Sequence, residues 1–407
     1  MSIVLLDLTV LSTAATRTRG IGRYAVDLAR SLVRRAATDQ RVGILVLERL
    51  GWRDLRATGD VEAALERLTG PPDAISHAAW AHRVRLRLRA AARRHHADLV
   101  HSVDPDATPI GLACRRVLTC HDLINTSFPE HYATSWREGW ARGRRFLDAR
   151  RYRRADHIIA VSHATARDLV TKLEIPQQKI TVIANGVDLE RFSPISQRRD
   201  ESVRRHYRLD DVRYLLYVGG ADWRKNPEGM LDAIARVRHR LGVQAPVLAW
   251  AGALDAVARG RVRRLADERR LGEGLRLLGW IPDDDLAALG RGAAALLFVS
   301  RAEGFGYPLV EAMALGCPVI AGNRMAAAEV VGDAALLVDP ELPDAVADAI
   351  LRLLADHDGE RRRLIERGLA RCRAFDVDRM ADETLEVYRR VAGDIARRAY
   401  TSTTLCV

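Results

Sequence analysis

Ser300-Arg301-Ala302-Glu303-Gly304-Phe305-Gly306-Tyr307-Pro308-Leu309-Val310-Glu311-Ala312-Met313-Ala314-Leu315-Gly316-Cys317-Pro318-Val319 is the stretch on which the reading of this chain turns. The residues just before it, 294–299, are apolar and read as a buried strand. A glycine-punctuated turn follows, and Pro308 suits a first helical turn, where its missing N–H costs nothing. Such a strand–turn–helix unit predicts free backbone N–H groups at the helix start. Gly304 and Gly306 would let a ligand approach closely, an arrangement that suits a phosphate. Glu303 falls in the loop and Glu311 about one turn into the helix, where a carboxylate can accept two hydrogen bonds from a ribose diol. Two acids eight positions apart would by themselves be ordinary surface charge; the Gly-Phe-Gly-Tyr-Pro turn between them makes them candidates for a site.

The same alternation extends in both directions. Residues 214–218, 246–251, 275–278, 318–321 and 335–338 read as strands, with a helix at 227–241. In the first half, 3–8, 42–47, 99–102, 117–119, 158–161 and 180–184 read as strands. The helix 21–36 places Ile21, Tyr24, Ala25, Leu28 and Leu32 on one face, and Ser162 opens another at 164–173. The pattern lapses in Ser193-Pro194-Ile195-Ser196-Gln197-Arg198-Arg199, which reads as a linker. Repeated β–α alternation predicts an α/β chain of two doubly wound, Rossmann-like domains facing a cleft, residues 1–195 and 196–385. Residues 386–407 would form a C-terminal helix and tail packing back toward the first domain. In such sheets, ligands bind beyond the carboxyl ends of the strands.

Length and composition agree with this. The 407 residues correspond to two or three domains at roughly 150 residues each. A 48% hydrophobic share excludes intrinsic disorder and small disulfide-stapled scaffolds. No apolar run approaches the ~20 residues that cross a bilayer, and no basic region precedes the N-terminal apolar stretch, so the expectation is a cytoplasmic protein. Cys114, Cys120, Cys317, Cys372 and Cys406 are scattered and odd in number, which suggests free thiols. The net charge of +11 lies wholly in residues 1–200, where 33 basic residues face 22 acidic ones; the remainder is balanced. The excess is densest at Arg83–Arg94 and Arg142–Arg154, either a solvated helical surface or a face for an anionic partner. Lys225 is the only lysine of the second half.

The stretch from Ser300 to Val319 resembles the Glu-x7-Glu signature of family 4 glycosyltransferases, retaining enzymes of the two-domain GT-B fold. Val218-Gly219-Gly220 with Trp223-Arg224-Lys225-Asn226-Pro227 resembles that family's diphosphate-binding loop. Leu278-Gly279-Trp280-Ile281-Pro282, Val330-Val331-Gly332-Asp333-Ala334-Ala335, Val161-Ser162-His163-Ala164-Thr165 and Asn185-Gly186-Val187-Asp188 extend the resemblance over nearly the whole chain. It implies that Glu311 binds the nucleotide ribose and that Glu303 contacts donor-sugar hydroxyls. Arg224 and Lys225 would neutralise the diphosphate, and His121, after a strand in Thr119-Cys120-His121-Asp122-Leu123, would contact the sugar near the reacting carbon. Gly20 and Gly22 would form a glycine loop in the first domain. Gly219, Gly304, Phe305, Gly306, Tyr307, Leu309 and Val310 would complete the donor site. The implied catalytic group is His121, Glu303, Arg224 and Lys225, with no cofactor and no metal.

The resemblance thus implies transfer of a sugar from a nucleotide-diphosphate donor to an alcohol acceptor with retention of configuration. The acceptor would be a glycan, a lipid-linked glycan or a small molecule. The Gly-Ile-Gly-Arg-Tyr, His-Asp-Leu and Arg-Lys-Asn versions of the motifs resemble bacterial enzymes of surface-polysaccharide assembly, which favours GDP-mannose. Peripheral contact with an anionic membrane at the inner face of the cell membrane is a further expectation; binding of nucleic acid is not. Two readings compete. Gly20-Ile21-Gly22-Arg23-Tyr24-Ala25, with Glu48, fits the dinucleotide fingerprint of an NAD-dependent dehydrogenase, but eleven residues separate Leu8 from Gly20. A basic membrane- or nucleic-acid-binding module would use the arginines, but no accompanying binding motif is present. Asp104-Pro105-Asp106 and Asp283-Asp284-Asp285 imitate metal-binding Asp-x-Asp motifs, the second better explained by helix capping. His95, His96 and His101, or Cys114 and Cys120, make no convincing metal set. Asp122 is left as a spare carboxylate near the sugar.

Overall fold

A computed structural model describes residues 2–12, 20–36, 42–48, 51–54, 77–131, 138–355 and 359–403. The chain divides into two compact units, Met1–Gly186 with Asp376–Val407, and Val187–Phe375. Among the described residues the first unit holds a seven-stranded sheet of β1 (Ser2–Asp7), β2 (Val42–Glu48), β3 (Gly51–Asp54), β4 (Leu99–Ser102), β5 (Arg115–Cys120), β6 (His157–Ala160) and β7 (Ile180–Val182). Their order is β3-β2-β1-β4-β5-β6-β7. All pairings are parallel except that of β3, which runs antiparallel to β2 with Gly51 opposite Glu48. The sequence reading missed β3, because four residues with two charges carry no apolar alternation.

The second unit holds β8 (Tyr214–Val218), β9 (Val247–Ala251), β10 (Leu275–Gly279), β11 (Ala295–Phe298), β12 (Val319–Gly322) and β13 (Ala335–Val338). They form an all-parallel sheet in the order β10-β9-β8-β11-β12-β13. Strands β9, β11 and β12 are buried along their whole length, which explains why they read as unbroken apolar runs. Strand order reverses between β1 and β4 in the first sheet and between β8 and β11 in the second. Loops leaving the carboxyl ends of two such strands diverge and leave a crevice, the usual ligand position of a doubly wound sheet.

The helix Val377–Thr403 belongs to the first unit. It packs against the helix Gly20–Ala36, with Arg34 Nη2 2.9 Å from Asp378 Oδ1 and a second ion pair from Arg35 to Asp382. Where the chain leaves this unit, a Cβ on Gly186 would collide with the Val377 backbone, so only glycine fits.

The stretch 193–199 lies inside the second unit and is not the crossing. It is folded over a buried ion pair. Arg291 forks onto Asp200 at 2.6 and 2.7 Å and donates to the Ser193 carbonyl, while Asp200 Oδ2 accepts from Gln197 N and Ser196 Oγ. The partner lies far away in sequence, so the local composition shows only the turn.

Candidate active site

In the second unit the loops leaving β8 and β11 meet. Trp223–Lys225 forms a single 3-10 turn after β8, and the helix Pro227–Leu241 follows. Asn226 joins them in the left-handed conformation (φ 57°), which asparagine tolerates better than most residues. Its side chain is fully buried: Nδ2 donates to the carbonyls of Val299 (3.2 Å) and Pro340 (2.7 Å), and Oδ1 accepts from Gly229 N. Arg301 completes the link. Its backbone N–H donates to the Arg224 carbonyl at 2.7 Å, and its guanidinium reaches the Trp223 carbonyl and Glu341. The two loops are thus one hydrogen-bonded body. On the other side, Gly219 lies so close to Tyr217 that a Cβ would fall 2.6 Å from the phenol oxygen.

That body carries a charge cluster. Lys225 Nζ donates to Glu303 Oε1 at 2.5 Å, and Arg224 Nη1 to Glu303 Oε2 at 3.1 Å. Lys225 is 9% and Glu303 5% exposed. Burial alone would raise the Glu303 pKa, but Lys225 and Arg224 outweigh it and hold the carboxyl below the usual range, so it is ionised. Burial, with help from Arg224, lowers the Lys225 pKa against the pull of Glu303. The ammonium also sits 4.8 Å from the Phe298 ring centroid, a cation–π contact. Arg224 Nε also lies 3.0 Å from Asp222 Oδ1, so two cations are balanced by two carboxylates, and an arriving anion would take the cations over from partners already in place.

The helix Tyr307–Ala314 begins where expected, with Pro308 in its first turn. Gly306 sits at φ +106°, where a Cβ would fall 2.8 Å from Leu309 Cδ1, so glycine is required there. Glu311 is buried at 3% exposure. Gly304, Phe305 and Tyr307 are also buried, the Phe305 ring packing edge-on against Tyr307 and Phe375. Leu309 and Val310 are wholly buried, so their side chains are core, and any ligand would meet only backbone there. The expected free N–H groups need one correction: Leu309 N–H donates to the Gly306 carbonyl at 3.0 Å.

In the first unit Gly20 opens the helix Gly20–Ala36 and Gly22 is buried in its first turn; both lie on the helix, not in a loop. The preceding residues 13–19 fall outside the described set, and a 3-10 turn, Thr9–Ser12, separates β1 from them. His121 follows β5, half-buried, with its ring Nε2 3.1 Å from the Val103 carbonyl. Burial lowers its pKa to about 4, so the imidazole is neutral, with Nε2–H as donor. Asp122 Oδ1 accepts from Ile124 N–H at 3.0 Å, so the carboxylate read as spare closes a turn. Asp7, at the end of β1, accepts from Thr9 N and Oγ1, and burial raises its pKa to about 6.

The imitators resolve into structure. Asp283, Asp284 and Asp285 lie in the first turn of the helix Asp283–Gly292, but none caps it; the position before them is Pro282. They pair with Arg191 and Arg199 instead. Asp104 accepts from Asp106 N, and Asp106 pairs with the buried Arg151 at 3.3 Å. Among the described residues no group of three or more His, Cys, Asp or Glu is placed to hold a metal. Cys114, Cys120, Cys317 and Cys372 are free thiols; Cys406 lies outside the described residues. The side chain of Glu48 also lies outside them; its backbone ends β2, opposite Gly51 of the antiparallel β3. Asn226 and Arg301 were the omissions of the sequence reading. An asparagine before a proline signals a tight turn, but its buried partners do not show in sequence.

Residues 199–371 match the family described as glycosyl transferases group 1, and residues 18–191 match glycosyltransferase family 4. The chain is 30% identical over 311 residues to O-antigen chain mannosyltransferase B of Escherichia coli, covering 74% of this chain and 77% of that protein. It is 25% identical over 405 residues to the serotype-specific mannosyltransferase WbdA of Escherichia coli; that match covers 92% of this chain but only 46% of WbdA. Sucrose-phosphate synthase of Thermosynechococcus elongatus has the same fold, with a TM-score of 0.74 at 21% identity, covering 97% of this chain and 100% of that one.

Proposed function

We infer the reaction from the premise that this chain belongs to the family 4 glycosyltransferases: it transfers a mannosyl unit from GDP-mannose to a hydroxyl of a glycan or lipid-linked glycan, with retention of configuration. The observation that carries this is the Arg224–Lys225–Glu303 cluster at the β8/β11 switch point. Departure of a nucleoside diphosphate builds negative charge, and preorganised cations stabilise it without rearranging at the moment of reaction. Glu303 keeps the cations in place before the donor arrives. When the diphosphate takes over their charge, Glu303 becomes available to sugar hydroxyls. Glu311 binds the ribose, and His121 contacts the sugar as a neutral imidazole. Mannose is favoured because both relatives are named as mannosyltransferases. No metal or other cofactor takes part in this reading, because Arg224 and Lys225 supply the positive charge. In this reading Glu303 is engaged by sugar hydroxyls once the donor is bound and Asp122 closes a turn, so neither serves as a nucleophile for double displacement and attack is on the face the diphosphate leaves.

The experiment is proton NMR of the product formed from GDP-mannose, with and without a chelator. An α-mannoside formed at the same rate in both supports the reading. A β-anomer, or loss of activity restored by manganese, sinks the mechanism.

The first unit also fits peripheral contact with an anionic membrane. No described helix is long and apolar enough to cross one. However, Leu86 is exposed among Arg83, Arg87 and Arg89, and Phe146 and Leu147 are exposed on the other arginine-rich helix, Glu138–Arg154. Apolar side chains among arginines match an acidic lipid surface. Stronger sedimentation with anionic than with neutral vesicles, reduced by salt, is the expected result; equal binding to both refutes it.

A further inference from the structure

Between the C-terminal helix and His121 runs a buried polar chain that no part of the proposed reaction uses. Tyr388 Oη lies 2.6 Å from His101 Nδ1, and His101 Nε2 lies 2.8 Å from Thr119 Oγ1. Thr119 Oγ1 lies 3.0 Å from Tyr24 Oη. The Tyr24 ring then packs edge-on against the His121 imidazole, with centroids 4.9 Å apart and planes at 82°. Tyr24, His101 and Thr119 are fully inaccessible and Tyr388 is 1% exposed, so no solvent competes for these bonds. All five residues belong to the first unit, although Tyr388 and His101 are 287 positions apart.

We propose that Tyr388 is a positioning residue for His121, acting through His101, Thr119 and Tyr24. His121 has two constraints on this side: its Nε2–H bond to the Val103 carbonyl and the edge of the Tyr24 ring. The first fixes one atom; the second fixes the plane of the ring. Tyr24 keeps its position because its hydroxyl is held by Thr119, and Thr119 is held by His101. Burial lowers the His101 pKa to about 3, so that ring is neutral and donates from one nitrogen while accepting at the other. Its orientation is therefore coupled to the Tyr388 hydroxyl. Without that hydroxyl, Nδ1 has lost its partner in a dry site, the ring is free to turn over, and the Thr119 and Tyr24 hydroxyls must reorient.

The test reads the imidazoles directly, by long-range proton–nitrogen NMR of the full chain without ligand. Tyr388→Phe is expected to shift or broaden the signals of both His101 and His121. His157 is the control: its Nε2 lies 3.1 Å from Arg390 on the same helix but outside the chain, and its signals are expected to stay. Thr119→Val should reproduce the His121 change and Thr119→Ser should restore it. An unmoved His121, or equal displacement of His157, overturns the proposal. The bearing on catalysis rests on the His121 reading above. There, Tyr388→Phe should slow GDP-mannose turnover about tenfold at unchanged KM, roughly the worth of one buried hydrogen bond. That loss should vanish in a His121→Ala background. Full activity of His121→Ala would refute the role of His121 while leaving the spectroscopic result to judge the relay; equal losses in both backgrounds would refute the relay.

Discussion

The two switch points hold polar groups in a buried setting by opposite electrostatic means. At β8/β11, burial is tolerated because charges are paired: Glu303 stays ionised between Lys225 and Arg224. At β1/β4 and the neighbouring end of β5, burial instead works against charge. His101 and His121 are driven neutral, and the Asp7 carboxyl is pushed up to about 6. The difference matters because a paired, ionised cluster can exchange one anion for another, whereas a neutral hydrogen-bonded chain can only hold geometry. One site is suited to stabilising charge and the other to orienting a ring.

Removing charge from the second site should break the comparison most severely. Lys225→Ala is expected to lower turnover about 100-fold or more, because the interaction it removes grows as diphosphate charge develops. Steady-state kinetics on folded variant checks this, and a loss confined to KM would mean that Lys225 only binds the ground state. In the first site the opposite holds, since removing a potential charge should help. Asp7 ionises near 3.8 when unfolded and near 6 when folded, so folding stability is full below pH 4 and falls as pH rises through 6. Asp7→Asn should therefore gain about 3 kcal/mol at pH 7 and nothing at pH 3.5, as measured by urea unfolding at the two pH values. A gain equal at both values would place the effect elsewhere. The smallest expected effect sharpens the comparison by touching no charge. Asn226→Ala should cost about 2 kcal/mol of stability, from lost buried hydrogen bonds and left-handed strain, while separating the β8 and β11 loops. If turnover falls no further than stability explains, the charge cluster does not need that alignment.

What could be read from the sequence divides along the same line. Glu303 and Glu311 are legible as candidates because they flank a turn whose residues, Gly304, Gly306 and Pro308, show the local backbone, whereas Arg224 and Lys225 are legible only through the family resemblance. β9, β11 and β12 were legible because burial on both faces leaves unbroken apolar runs; β3, short and polar at an edge, was not. Arg301, Asn226 and the chain from Tyr388 to Tyr24 were not legible either, since each is defined by partners far along the chain. A buried tyrosine reads as core, and Thr119 as an ordinary strand residue. The Asp283–Asp285 run shows the converse: three acids at a helix start invite a capping explanation, while the structure pairs them with Arg191 and Arg199.

The passage of the chain out of the first unit at Gly186 and back at Asp376 has a consequence for biosynthesis. A chain emerging from the ribosome presents β1 to β7 before the second unit, and the helix that covers Gly20–Ala36 only after it. At a synthesis rate of about 5–20 residues per second, the first unit waits on the order of ten seconds or more with that face uncovered. Val187–Phe375 is contiguous and can fold during this interval. Of the two units, the one begun earlier is thus the one completed later, and a nascent chain stalled before Tyr388 would carry a complete second unit and an open first one.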